Sequence, residues 1–116
     1  MDIVVKQVKD VAVATILVED LDASNVGDFR RDIAPVLEAH HRLVLDLSRL
    51  RFVDSSGLGA FISCLRKLNA AGGDLKLCGM SKPVRAVFEL VRMHRVFDIF
   101  DTPEQAVHAF DLAVKK

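Results

Sequence analysis

Apolar residues recur along this chain in two rhythms, one of period two and one of period three to four. Ile3 to Val8 and Val11 to Val18 are rich in β-branched residues and separated only by Lys9-Asp10, which predicts two strands joined by a tight turn. From about Ser24, the residues Val26, Phe29, Ile33, Val36 and Leu37 follow at helical spacing, the pattern of a helix with one buried face. Pro35 lacks the N–H that would reach the Arg31 carbonyl, so it is expected to interrupt or bend that helix. Leu43 to Leu47 (LVLDL) is a continuous apolar run, as expected of a central strand covered on both faces.

After Asp54-Ser55-Ser56 the helical period returns in Leu58, Phe61, Ile62, Leu65 and Leu68, and Gly72-Gly73 stops it. Leu75 to Cys78 (LKLC) reads as a strand. Ser81 then offers an N-cap with Pro83 in the first turn, ahead of Val84, Val87, Phe88 and Val91. Val96 to Phe100 (VFDIF) alternates like a strand at a sheet edge. Thr102-Pro103-Glu104-Gln105 combines a cap, a proline at the first helical position and a Gln able to close a capping box, and Ala106, Val107, Phe110 and Val114 complete a last helix. The predicted order is β-β-α-β-α-β-α-β-α, an α/β fold with a mixed, mainly parallel sheet of about four to five strands and about four helices. No linker or repeat divides residues 1–116, so one domain is expected.

Charge narrows the partners. Lys plus Arg and Asp plus Glu number 16 each, which leaves no overall field for nucleic acid or an anionic membrane. The basic pairs Arg30-Arg31 and Arg66-Lys67 and the nearby Arg92 and Arg95 lie in amphipathic patterns with no interleaved aromatics, as solvated helix faces do. The first twenty residues lack the layout of a signal peptide, and no apolar run approaches the roughly 20 residues of a membrane span. A cytoplasmic protein without membrane insertion is expected. Cys64 and Cys78 are too far apart for a redox pair and have no His or Cys companions at zinc spacing, so buried reduced thiols and no metal are expected.

Catalysis finds little support. No serine stands in a G-x-S-x-G elbow, and His40, His41, His94 and His108 are scattered. Gly57-Leu58-Gly59 begins like a dinucleotide fingerprint, but Ile62 occupies the place of the third glycine and no phosphate-binding G-x-x-x-x-G-K-[ST] occurs. The chain reads as a non-enzyme without a cofactor. There remains Phe52-Val53-Asp54-Ser55-Ser56-Gly57-Leu58-Gly59. A serine cap, an acidic residue at the helix start and glycines for a tight turn would account for much of it. Yet two serines exceed what one cap needs, and glycines at 57 and 59 each cost about 1 kcal/mol of helix propensity relative to Ala. Something must approach that turn closely.

Asp54 to Gly59 reads D-S-S-G-L-G, and here the chain resembles the STAS domains of bacterial anti-sigma factor antagonists, whose hallmark is D-S-[ST]-G-L-G. The likeness extends to the opening strands, to Glu19-Asp20-Leu21-Asp22 before the first helix, to Gly72-Gly73 before LKLC and to Val96–Phe100 before the last helix. The resemblance implies phosphorylation at Ser55, with Ser56 as second choice, by an anti-sigma factor that is a serine kinase of the GHKL ATPase type. It also implies a PP2C-type phosphatase that reverses the modification, and a chain that is monomeric when free. In the implied partner switch, the unmodified protein sequesters the kinase and frees a sigma factor, and the phosphorylated form lets go. Asp20, Asp22, Asp54, Ser55, Ser56, Gly57 and Leu58 become candidate partner-binding residues. The alternative is a STAS interaction module that regulates a secretion system or a transporter. Two departures stand out: Val18 precedes Glu19-Asp20 where many relatives carry glycine, and Arg92-Met93-His94 replaces a short glycine-containing turn.

Overall fold

The computed structural model describes residues 3–114, and the side chains of residues 3–111. Along the chain run β1 (Ile3–Val8), β2 (Val11–Ile16), β3 (Asp20–Leu21), α1 (Val26–Ala39), β4 (Arg42–Asp46), β5 (Phe52–Val53), α2 (Ser55–Ala70), β6 (Asp74–Cys78), α3 (Lys82–Leu90), a single 3-10 turn (Met93–Arg95), β7 (Asp98–Phe100) and α4 (Pro103–Val114). The five longer strands form one sheet in the order β1-β2-β4-β6-β7. The β1–β2 hairpin is antiparallel and turns through Lys9 at φ 56°, whereas β2, β4, β6 and β7 are parallel. The anticipated α/β order therefore stands, with β3 and β5 as additions.

Alternation within the strands explains where the helices go. In β2, β4 and β6, the residues Ala12, Ala14, Ile16, Leu43, Leu45, Leu75 and Leu77 point to one face, where α1, α2 and α3 bury Phe29, Ile33, Phe61, Leu68 and Phe88 against them. Val11, Val13, Val44 and Cys78 point the other way and meet Ala106, Val107 and Phe110 of α4. A parallel strand with both faces covered has no polar positions to spare, which is why LVLDL reads as one apolar run. Lys76 is the exception. Its Nζ donates to Asp98 at 2.9 Å and Asp74 at 3.1 Å and lies 4.7 Å from the centre of the Phe110 ring. Burial works against that ammonium, but the bonds to Asp98 and Asp74 outweigh it and raise its pKa. β1 forms one edge of the sheet, and its Val4 and Val5 are exposed.

Several sequence expectations are corrected. α1 continues through Pro35 to Ala39, because its buried stripe of Phe29, Ile33 and Leu37 holds the helix across the missing bond. Strand β7 begins at Asp98, not Val96: Val96 and Phe97 donate N–H bonds to the Met93 carbonyl in the turn, and Phe97 drops into the core beside Phe88. Strand β2 ends at Ile16, short of Val18. The side chain of Val114, expected on the inner face of α4, lies outside the described residues. Ser81 caps α3 as anticipated, its Oγ accepting from the Val84 N–H, and Thr102 caps α4 through the Gln105 N–H. The Gln105 side chain reaches back to the Asp101 N–H instead of that of Thr102. Arg92, in the turn after α3, takes a left-handed φ of 61°.

A chain of rings crosses the main core. Phe61 meets Phe29 edge-on with centroids 5.7 Å apart and stacks on Phe88 at 6.2 Å, and Phe88 meets Phe97 at 6.0 Å. Phe61 is fully buried, so Phe61→Ala is expected to cost about 3–5 kcal/mol of folding free energy, measured as a lower urea midpoint with an unchanged slope.

Candidate functional site

The two shortest strands build the site. β3 and β5 pair in parallel, Asp20 opposite Phe52 and Leu21 opposite Val53, apart from the main sheet. Arg51 and Phe52 both donate their N–H to the Glu19 carbonyl, at 2.6 and 3.1 Å, and the Asp54 N–H donates to the Leu21 carbonyl at 3.2 Å. Segment 19–22 is thereby laced to segment 51–54 immediately before α2 begins. Leu21 and Val53 are buried and anchor this platform to the core.

Asp54 closes it. As N-cap of α2, its Oδ1 accepts from the Gly57 N–H at 3.1 Å, while Oδ2 accepts from the Ala23 N–H at 3.1 Å. One carboxylate thus satisfies an open donor of the helix and ties that helix to the turn before α1. That turn is organised in the same way. Asp22 Oδ1 accepts from the Ser24 hydroxyl at 2.6 Å and the Ser24 N–H at 2.9 Å, which holds the Asp22 carboxyl below the usual carboxylate range. Asn25 Oδ1 accepts from the Asp22 N–H, and Asn25 Nδ2 donates to the Asp20 carbonyl. The lowered Asp22 value is a stabilising contribution present above the ordinary carboxylate range and lost as pH falls through the folded-state value.

Neither serine is the cap. Ser55 is the first residue of α2 and exposed, Ser56 is half-buried, and neither hydroxyl has a hydrogen-bond partner among the described residues. The two glycines differ. A Cβ on Gly57 would stand 2.5 Å from Val53 Cγ2 and 2.9 Å from the Leu21 carbonyl oxygen, so what approaches the turn there is the chain's own platform. A Cβ on Gly59 would meet nothing closer than an Arg30 guanidinium nitrogen at 3.9 Å. Of the candidate residues, Asp20, Asp22, Asp54, Ser55 and Ser56 gather on one surface, whereas Gly57 and Leu58 face inward and support it from below.

Residues 2–106 match the model of the STAS domain. The chain belongs to the STAS domain family. Among its relatives, BtrV of Bordetella bronchiseptica, provisionally described as an anti-sigma factor antagonist, is 34% identical over 97 residues, covering 83% of this chain and 84% of that protein. The anti-sigma-B factor antagonist of Bacillus subtilis is 26% identical over 88 residues, covering 76% of this chain and 81% of its own length. Among solved structures, the anti-sigma factor antagonist SpoIIAA in its unphosphorylated form superposes with a TM-score of 0.77 at 26% identity over 95% of this chain and 96% of that one.

In this STAS domain the sequence did not single out Asn25, and it held Phe52 only as the start of the Asp54 segment. Asn25 ties two of the aspartates together, a role that only the closed turn reveals. Phe52 is 49% exposed beside Asp20, on a strand too short to show alternation. Other chemistry is sparse. Among the described residues no group of His, Cys, Asp and Glu could hold a metal ion, and no helix is long and apolar enough to cross a membrane. Burial pushes the Cys64 thiol up to about 11; burial, then the Asp46 and Glu104 carboxylates, push Cys78 up to about 12. Both thiols stay neutral at pH 8, so iodoacetamide should modify them only after denaturant is added, as read by mass spectrometry.

The glycines give a paired prediction. Gly57→Ala drives a methyl into Val53 and Leu21 and should destabilise by about 2 kcal/mol or more. Gly59→Ala should be neutral or stabilise by up to about 1 kcal/mol, both read by chemical denaturation.

Proposed function

We propose that this STAS domain is an anti-sigma factor antagonist. Its unmodified surface around Ser55 binds and sequesters an anti-sigma factor that is also a GHKL-type serine kinase, and phosphorylation of Ser55 ends that binding. The observation that carries the reading is the state of Ser55: exposed, without an internal hydrogen-bond partner, and mounted on backbone fixed by Asp54. Such a hydroxyl is open to a kinase, and modifying it breaks no bond of the fold.

The electrostatics supply the switch. A phosphate adds about −1.5 to −2 charges next to Asp54, on a surface that already carries Asp20 and Asp22. At the start of α2 it faces unpaired backbone N–H groups, so the fold tolerates it. A partner that must desolvate the same patch meets added charge and bulk. In this reading a PP2C-type phosphatase resets the domain, which works in the cytoplasm as substrate and ligand and not as catalyst. The names of BtrV and of the Bacillus subtilis relative point the same way.

Isothermal titration against the cognate kinase, with mass spectrometry after incubation with ATP, tests the proposal. Phosphate should appear on Ser55, with Ser56 unmodified. Ser55→Ala should keep its affinity, and Ser55→Glu should lose at least about tenfold, or ~1.4 kcal/mol. Absence of phosphate, with equal affinity for all three proteins, would reject it. Phe52→Ala is expected to weaken the complex by about 1–2 kcal/mol, as removal of a half-exposed aromatic anchor would, while leaving the urea midpoint nearly unchanged.

A further inference from the structure

Arg30 links two helices. Arg31, Arg42, Arg51 and Arg85 each lie against a carboxylate, whereas the Arg30 guanidinium, like those of Arg49, Arg66, Arg92 and Arg95, has no carboxylate partner among the described residues. It crosses from α1 to α2 and donates to a neutral hydroxyl, Ser63 Oγ, at 3.1 Å, and that hydroxyl is itself turned to the Gly59 carbonyl. The other arm of the guanidinium lies over Gly59, 3.9 Å from where a Cβ would be. Beneath it runs an open groove of about 160 Å3 between the two helices, lined by Ala34, Ala60, Ser63 and Lys67 among others.

Helical spacing relates this arginine to the candidate phosphorylation site. Ser55, Gly59 and Ser63 stand four residues apart on α2, so they share one face, with about 5–6 Å between successive Cβ positions. Arg30 rests on the lowest of the three and spans the middle one. Because Gly59 has no side chain, position 59 places no side chain between the guanidinium and Ser55, which stands one helical turn of about 5.4 Å further up. A phosphate on Ser55 would arrive beside the Asp54 carboxylate, so a cation within reach would be drawn to it in addition to the helix N–H groups.

We infer that Arg30 is the phosphate-binding residue of the modified domain: on phosphorylation of Ser55 its guanidinium leaves Ser63 and pairs with the phosphate across Gly59. This rests on the reading of Ser55 given above and adds a second effect to the switch. The phosphate places negative charge on the docking surface, and it also occupies a guanidinium that would otherwise be available to an acidic partner. The planar fork of an arginine suits a phosphate and costs little reorganisation.

The test uses the 116-residue chain with phosphoserine installed at position 55 during synthesis, followed by phosphorus-31 NMR across pH. An ordinary phosphoserine has a second pKa of about 6. The phosphate of the otherwise unaltered protein should titrate below that value, and Arg30→Gln should raise it by about half a unit or more. Arg30→Lys should fall between, keeping the charge but not the fork. Arg66→Gln, exposed and far down α2, should leave the titration where it was, and Ser63→Ala, which removes only the resting contact, should not raise it. Equal titration with and without Arg30, or an equal rise in Arg30→Gln and Arg66→Gln, would overturn the assignment. Since no kinase is used, failure of Ser55 as a kinase substrate would defeat the proposed function while leaving this result standing.

Discussion

Three parallel strands buried on both faces set the terms for the rest of this molecule. β2, β4 and β6 have apolar side chains above and below, so neither surface of the sheet can be left to water. α1, α2 and α3 cover one side, and α4, arriving last in the chain, covers the other. The opposed layers bring the ends of β2 and β4 to one rim, from which the chain must turn towards α1 and α2. Everything that distinguishes the candidate site is built at that rim. It is a product of how the sheet is closed, and the surface carries only its final residues.

At the rim, a small set of polar contacts does what a larger core does elsewhere. Two two-residue strands could not hold each other alone, since their ladder amounts to a few bonds. They persist because Leu21 and Val53 are sunk in the core, and because Asp54 joins Ala23 to Gly57 through one carboxylate. Gly57 then allows the helix to press against both. Rigid backbone beneath an unencumbered hydroxyl is a demanding combination, since most serines at a helix start are consumed as caps. The aspartate takes the capping role, and Ser55 is left free.

Much of this was legible in the sequence, and the exceptions have physical causes. Long amphipathic segments such as Val26–Ala39 and Leu58–Leu68 declare themselves because burying one face of a helix repeats a signal many times. The motif from Asp54 to Gly59 pointed to the candidate site from the sequence alone. β3 and β5 were invisible because two residues cannot show a period. VFDIF misled for the opposite reason: alternation suggested a strand from Val96, but Phe97 is buried by packing on Phe88 from a turn and not from a sheet. Pro35 signals a break that does not occur, since the loss of one bond is outweighed by the buried Phe29, Ile33 and Leu37 around it. The division of labour between the glycines, one shaped by contact and one not, exists only in three dimensions.

The edge of the sheet carries a consequence of another kind. β1 offers a row of unpaired backbone groups to solvent, with Val4 and Val5 open on its two sides, and such an edge is where a second chain would add itself. Lys6 stands next to them in mid-strand, so an incoming strand would have to strip water from an ammonium group before gaining any ladder. For a chain whose positive and negative charges balance, and which therefore lacks the mutual repulsion that keeps many proteins dispersed, a lysine on the edge strand works against fibre-like association.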